Sequence, residues 1–139
     1  MKLDPAYYRI HFWLGRVYAQ KGMRQQAVDE SERVLKATPD STLGLTELAY
    51  TLAAAGRTAG ARTILRTLEE RSRSSWVPAY NLAIIHVALK ENDEALWYLQ
   101  KAYDEQDWAL LVLAVEPRLD PLRSDPRFLE LCRKLRFPV

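Results

Sequence analysis

Three stretches of the chain fall into register at one fixed offset: HFWLGRVYAQKGMRQQAVDESERVL, LTELAYTLAAAGRTAGARTILRTL and AYNLAIIHVALKENDEALWYLQKA. Anchored on Leu14-Gly15, Leu48-Ala49 and Leu82-Ala83, they repeat every 34 residues without a gap. Four residues beyond each leucine stand Tyr18, Leu52 and His86, and thirteen beyond stand Ala27, Ala61 and Ala95. A period of this length constrains the fold more than any other feature. Each unit is one supersecondary element that buries its apolar face only by stacking on neighbours.

Each unit reads as two helices. Residues 11, 14, 15 and 18 recur as 45, 48, 49 and 52, then as 79, 82, 83 and 86. That spacing of i, i+3, i+4 and i+7 makes one helical face. Gly15, Ala49 and Ala83 on the first helices, and Ala27, Ala61 and Ala95 on the second, are small enough to let two helices approach closely. Breaks fall at Lys21-Gly22, Gly56-Arg57-Thr58 and Glu91-Asn92-Asp93. Gly suits the position after a helix, and Thr58 or Asn92 is expected to cap the helix that follows. Connections this short make the paired helices antiparallel neighbours.

These residues resemble the tetratricopeptide (TPR) repeat, whose period is 34 and whose pattern runs W-x₂-L-G-x₂-Y…A-x₃-F…P. The first copy supplies Leu14, Gly15, Tyr18, Ala27 and Pro39; the second Leu48, Ala49, Leu52, Ala61 and Leu65; the third Leu82, Ala83, Ala95 and Leu99. The pattern's Trp is replaced by His11, Leu45 and Ala79, and Ser31 stands at the large position of the first copy. The resemblance implies an all-α, right-handed α-α superhelix, a TPR solenoid of three helix-turn-helix repeats with a C-terminal capping helix. The whole of 1–139 is expected to form a single TPR domain, with repeats at about 8–41, 42–75 and 76–107 and a cap at 108–139. In the cap, Asp125 and Pro126 open a final helix, and Phe128, Leu129, Leu131, Cys132 and Leu135 form a stripe for burial on the third repeat. The ending DPLRSDPRF is similar to endings that follow TPR arrays in bacterial signalling and transcription-regulator proteins.

Nothing in the sequence argues for an enzyme. His11 and His86 fall at repeat positions that face the interior, and Cys132 lies on an apolar helix face. A His/Cys pair would need an orienting third group and an oxyanion site, neither of which is discernible. Two histidines and one cysteine give no metal-ligand set, and no glycine-rich phosphate motif is present, so no cofactor or metal is expected. With 20 basic and 18 acidic residues the net charge is +2, which gives no electrostatic case for nucleic acid or an anionic membrane. Apolar runs are broken by charges throughout, so no membrane span is expected. The single cysteine fits a reducing, cytoplasmic setting.

The resemblance implies a non-catalytic protein–protein interaction scaffold that takes a peptide or helical segment in its concave groove. A second stripe on the first helices falls in the groove register: Arg9, Phe12 and Arg16, then Leu43, Thr46 and Tyr50, then Val77, Tyr80 and Ile84. The expected groove residues are Arg9, Phe12, Arg16, Thr46, Tyr50, Tyr80 and Ile84. Phe12 and Thr46 replace the residues of a carboxylate-gripping subclass, so a segment of partly apolar character is expected. Trp97 is a secondary contact candidate, expected to rest under the C-terminal tail or to mark a patch. The competing expectation is a self-association or regulatory module of a larger bacterial signalling or transcription protein, acting through an uncapped first helix. Leu3-Asp4-Pro5 bears on it: Pro5 precedes Pro39 by one period, so the tripeptide falls where an earlier repeat would close. That phase predicts a fragment of a longer array.

Overall fold

The computed structural model describes residues 5–135; Leu3 and Asp4, on which the expectation of an earlier repeat turns, lie outside the described residues. The described residues form seven α-helices: α1 (Pro5–Gln20), α2 (Arg24–Ala37), α3 (Thr42–Ala54), α4 (Thr58–Arg71), α5 (Ala79–Ala88), α6 (Asn92–Asp104) and α7 (Pro126–Lys134). Two short 3₁₀ turns, Trp108–Val112 and Pro117–Leu122, lie between α6 and α7, and no strand occurs among the described residues. The contacts divide the chain into two compact units, the first ending at Trp76 and the second beginning at Val77.

In the first unit α1 packs on α2, α2 on α3, and α3 on α4. Gly22 (φ 73°) and Gly56 (φ 84°) take the left-handed turn after α1 and α3. In the second unit the equivalent turn falls on Lys90 (φ 64°), a conformation that side chains other than Gly, Asn and Asp adopt at a cost. Thr58 and Asn92 are the first residues of their helices rather than caps; the capping positions are Arg57 and Glu91, and neither makes a side-chain cap. Ser41 does cap α3, its Oγ accepting from the Gly44 N–H at 2.8 Å. Gly44 lies so close to α2 that a Cβ there would meet the Leu35 Cα at 3.3 Å and Ser41 Oγ at 2.8 Å.

Small and polar groups share the interior of this unit with Val28, Val34, Leu65 and Leu68. Ala27, Ala49 and Ala61 are buried beside Glu30, Ser31, Thr46, Glu47 and Thr51. The hydroxyls turn back onto their own helices, Ser31 donating to the Ala27 carbonyl (3.0 Å), Thr46 to Thr42 (2.7 Å) and Thr51 to Glu47 (3.1 Å). Such local bonds satisfy a buried hydroxyl without a partner helix.

In the second unit α5 packs on α6, the Pro117–Leu122 turn on α5, and α7 on α6. Its interior is hydrocarbon: Leu82, Ile85, Leu99, Leu113, Leu119, Leu122 and Phe128 are all nearly or fully buried. Arg123 ties the connecting segment together, donating to the carbonyls of Ala114 (2.7 Å) and Glu116 (2.8 Å), while Arg118 pairs with Glu116 and both are buried. Asp125 opens α7 as the sequence pattern predicts, accepting from the Arg127 N–H at 2.8 Å. Of the stripe expected to be buried, Phe128, Leu131 and Cys132 are buried, Leu135 is half-buried, and Leu129 faces solvent.

Candidate functional site

On the first unit, the groove-register stripe runs along α1 and α3. Arg9 is exposed, Phe12, Arg16 and Tyr50 are half-buried, and Leu43 is exposed on the first turn of α3. Thr46 is buried beneath them, its hydroxyl already spent on its own helix. Arg16 organises the stripe. Its Nη2 donates to Glu47 Oε1 at 3.1 Å, linking α1 to α3, and its guanidinium carbon lies 4.6 Å from the Phe12 ring centroid. The guanidinium thus holds the Phe12 ring by a cation–π contact while its charge is met by a buried carboxylate. Phe12, which also packs edge-on to Trp13 at 5.2 Å, and Tyr50 keep part of their surface accessible, and Leu43 and Arg9 are open to solvent.

On the second unit, the equivalent residues Tyr80 and Ile84 are buried and present no surface in this structure. Here α5 is apolar almost all round, with Ala79, Leu82, Ala83, Ile84, Ile85 and Val87 all buried. A helix that is hydrophobic on every side is a core helix.

Trp97 is 61% exposed on α6 and does not rest under the tail. With Asp93, Leu96, Gln100, Arg127 and Leu131 it lines a concavity of about 290 Å³ between α6 and α7. Arg127 closes one end, donating to Asp93 Oδ1 at 2.8 Å. The aromatic segment expected to cover Trp97 is itself exposed: Trp108, Leu111, Val112 and Val115 all face solvent.

Both histidines serve as structural groups. His11 pairs with the buried Glu30, which also takes Arg33 at 2.6 Å, and packs edge-on to Tyr7 at 4.5 Å between centroids. His86 stacks on Tyr98 at 5.3 Å and pairs with Glu91 at 3.1 Å. Burial pushes the Cys132 thiol above its ordinary pKa, which disfavours the reactive thiolate. No group of three or more His, Cys, Asp or Glu side chains that could hold a metal ion occurs among the described residues. Among the same residues no helix is long and apolar enough to cross a membrane.

The sequence reading missed the buried carboxylates. Glu47 follows Arg16 by 31 residues, one period less three, which places the two on facing positions of neighbouring first helices. The repeat register thus contained the signal for the Arg16–Glu47 pair.

Comparison with known families identifies residues 2–115 with a family model described as Tetratricopeptide repeat. No curated protein and no solved structure gave a significant match.

Proposed function

The chain belongs to the tetratricopeptide repeat family, whose members mediate protein–protein interactions, and from that premise we propose that its first unit binds a segment of a partner protein along α1 and α3. Phe12, Tyr50 and Leu43 receive apolar or aromatic side chains of that segment, and Arg9 meets a carboxylate at its edge. Arg16 positions Phe12 and is not itself the anion receptor, because Glu47 already meets its charge. Thr46 lies under the binding surface, and Tyr80 and Ile84 hold the second unit together. The protein acts as a non-catalytic scaffold, as is typical of this family. The single, buried Cys132 supports a reducing, cytoplasmic setting, and the DPLRSDPRF ending supports a parent protein of the bacterial signalling or regulatory kind.

The observation that carries this reading is the contrast in exposure at one register. The same stripe is accessible at Phe12 and Tyr50 and closed at Tyr80 and Ile84. The test is a pull-down from a lysate by the full chain, with retained proteins identified by mass spectrometry. The Phe12→Ala/Tyr50→Ala double variant, with unchanged helicity, is expected to lose proteins the parent chain retains. For a retained protein the binding loss should total a few kcal/mol, on the order of ~2–4, if both are hot spots. Equal recovery by both chains would reject the proposed surface.

A further inference from the structure

The C-terminal end of a helix is the negative pole of its macrodipole and favours cations. Among the second helices of the repeats, α2 and α4 follow that rule with Lys36 and Arg71 in their last turns. The end of α6 departs from it. Its basic residue, Lys101, lies over the Trp97 ring at 5.8 Å, and the chain then places Asp104 at the end of the helix and Asp107 just past it. One period before Asp107 stands Arg73, and two periods before it Pro39. Among the described residues neither carboxylate meets a cation. Asp104 accepts from the neutral Gln100 amide at 3.0 Å. Asp107 Oδ1 accepts from the Ala109 N–H at 2.9 Å, while its Oδ2 is buried without a hydrogen-bond partner. Leu135, the C-cap of α7, borders the same place and brings the negative pole of a second helix to it.

These groups line a concavity of about 630 Å³, open on one side, whose apolar wall is formed by Tyr103, Trp108, Leu111 and Leu135. Trp108 is 82% exposed, more than any other large apolar side chain among the described residues, and Leu111 is exposed beside it. The site is therefore unfavourable twice over in the free molecule. Apolar surface stands in water, and two carboxylates stand where helix dipoles already oppose them. A cation carried on a hydrocarbon body relieves both. The chain's own Lys134 shows the preference at the rim, where its ammonium lies 5.4 Å from the Tyr103 ring centroid.

We propose that the concavity at the end of α6 is a docking site for a segment of a partner protein that carries an arginine next to a large apolar residue. The guanidinium lies over the Trp108 ring and meets Asp104, and the neighbouring apolar side chain fills the space between Tyr103, Leu111 and Leu135. Arginine suits the place better than lysine, because its guanidinium is weakly hydrated and stacks on an aromatic face. Asp107 acts through its field and not by contact, since its Oδ2 is covered; its charge is met by no cation among the described residues, and apolar neighbours screen it less than water would. The occupant is a chain segment and not a free cation, because the exposed apolar row runs on past the concavity through Val112 and Val115. The site lies wholly in the second unit and does not rest on the proposed surface of α1 and α3.

An immobilised library of hexapeptides built from arginine, glutamate, leucine, phenylalanine, serine and glycine, probed with the full chain, tests this. The retained peptides are expected to carry arginine next to leucine or phenylalanine, and to lose binding when glutamate replaces the arginine. For the tightest peptide, titration calorimetry is expected to show a Kd that rises about tenfold in Trp108→Ser, an exposed position, with circular dichroism unchanged. Asp107→Asn, which keeps the cap, and added salt are each expected to raise it about threefold or more, and Lys134→Met, which removes a competing cation, to lower it. The Phe12→Ala/Tyr50→Ala chain is expected to bind that peptide unchanged, so this site and the surface of α1 and α3 fail separately. Retention of no peptide beyond those held by the Trp108→Ser chain, a preference for glutamate, or indifference to Asp107→Asn would each overturn the proposal. So would free arginine amide binding as tightly as the peptide, or binding by a chain ending at Leu135 but not by the full chain, which would make residues 136–139 the occupant.

Discussion

In the first unit, helices meet across alanines, valines and leucines, and also across hydroxyls that bond their own helix and two buried carboxylates, Glu30 and Glu47, held by His11, Arg33 and Arg16. In the second, they meet chiefly across leucine, isoleucine and phenylalanine, with the buried Glu116–Arg118 pair at the edge of the connecting segment and His86 paired with Glu91. The two halves come from the same repeat and solve the same packing problem with different materials. Hydrocarbon burial is non-directional and tolerates small shifts. A buried carboxylate is favourable only while its partner stays in place, and losing one partner leaves a charge that water no longer solvates. The unit with the accessible groove-register stripe is therefore also the one whose interior contains buried carboxylates that depend on specific pairings. Arg16 belongs to both, bonded to Glu47 and lying over the Phe12 ring.

The contrast is sharpest for deletion of bulk in the hydrocarbon unit. Phe128→Ala should cost about 3–5 kcal/mol and Leu99→Ala about 2–5 kcal/mol in denaturant unfolding, because each leaves a cavity among fully buried neighbours. Values below ~1 kcal/mol would mean that this interior is looser than its burial implies.

The ionic unit should behave differently, and a double-mutant cycle shows how. Removing one side of the pair, as in Arg16→Met, should cost about 1–3 kcal/mol, reduced from the fully buried case because Arg16 is partly exposed. The double variant Arg16→Met/Glu47→Leu should recover most of that loss, since no buried charge then remains. Additive costs would show that the two side chains act separately and would dissolve the contrast drawn here.

Two glycines test how close the helices of the first unit stand. Gly44→Ala should destabilise by about 1–3 kcal/mol, as its Cβ meets the α2 backbone. Gly15→Ala should stabilise by about 0.5–1 kcal/mol, because the nearest atom to its Cβ is at 3.4 Å and the helix loses a flexible residue. Thermal unfolding of the two single variants is sufficient to check both signs.

The smallest effect is a pH dependence at the start of α7. The Arg127 side chain and N–H hold the Asp125 carboxyl below its ordinary value of 3.8. A depressed folded-state pKa gives a contribution that is present above the unfolded value and lost as pH falls through the folded one. Amide exchange in the first turn of α7 should accelerate as pH is lowered below about 4, after correction for intrinsic rates. Asp125→Asn should remove that step while keeping much of the cap.

The period of 34 was enough to place the first six helices, because the anchors Leu14, Leu48 and Leu82 with their small neighbours record directly which face is packed. The ends were less legible. Thr58 and Asn92 have the chemistry of caps, yet the chain enters α4 and α6 one residue earlier, through backbone bonds from Ala61 to the Arg57 carbonyl and from Ala95 to that of Glu91. Trp97 looked like a residue in need of cover, and the segment between α6 and α7 offered no period from which to read its 3₁₀ turns. Both depend on how a segment outside the period folds back, for which the repeats hold no template. The groove stripe was legible as a register, but the side-chain burial that separates Tyr50 from Tyr80 is set by tertiary packing, to which spacing is blind.

Cys132 gives the molecule a built-in clock. The thiol is fully buried on α7, and that burial disfavours the thiolate, so a small alkylating reagent reacts only in the moments when α7 lifts away. With no second cysteine to confuse the count, the labelling rate of the unmodified chain directly times the opening of its last helix.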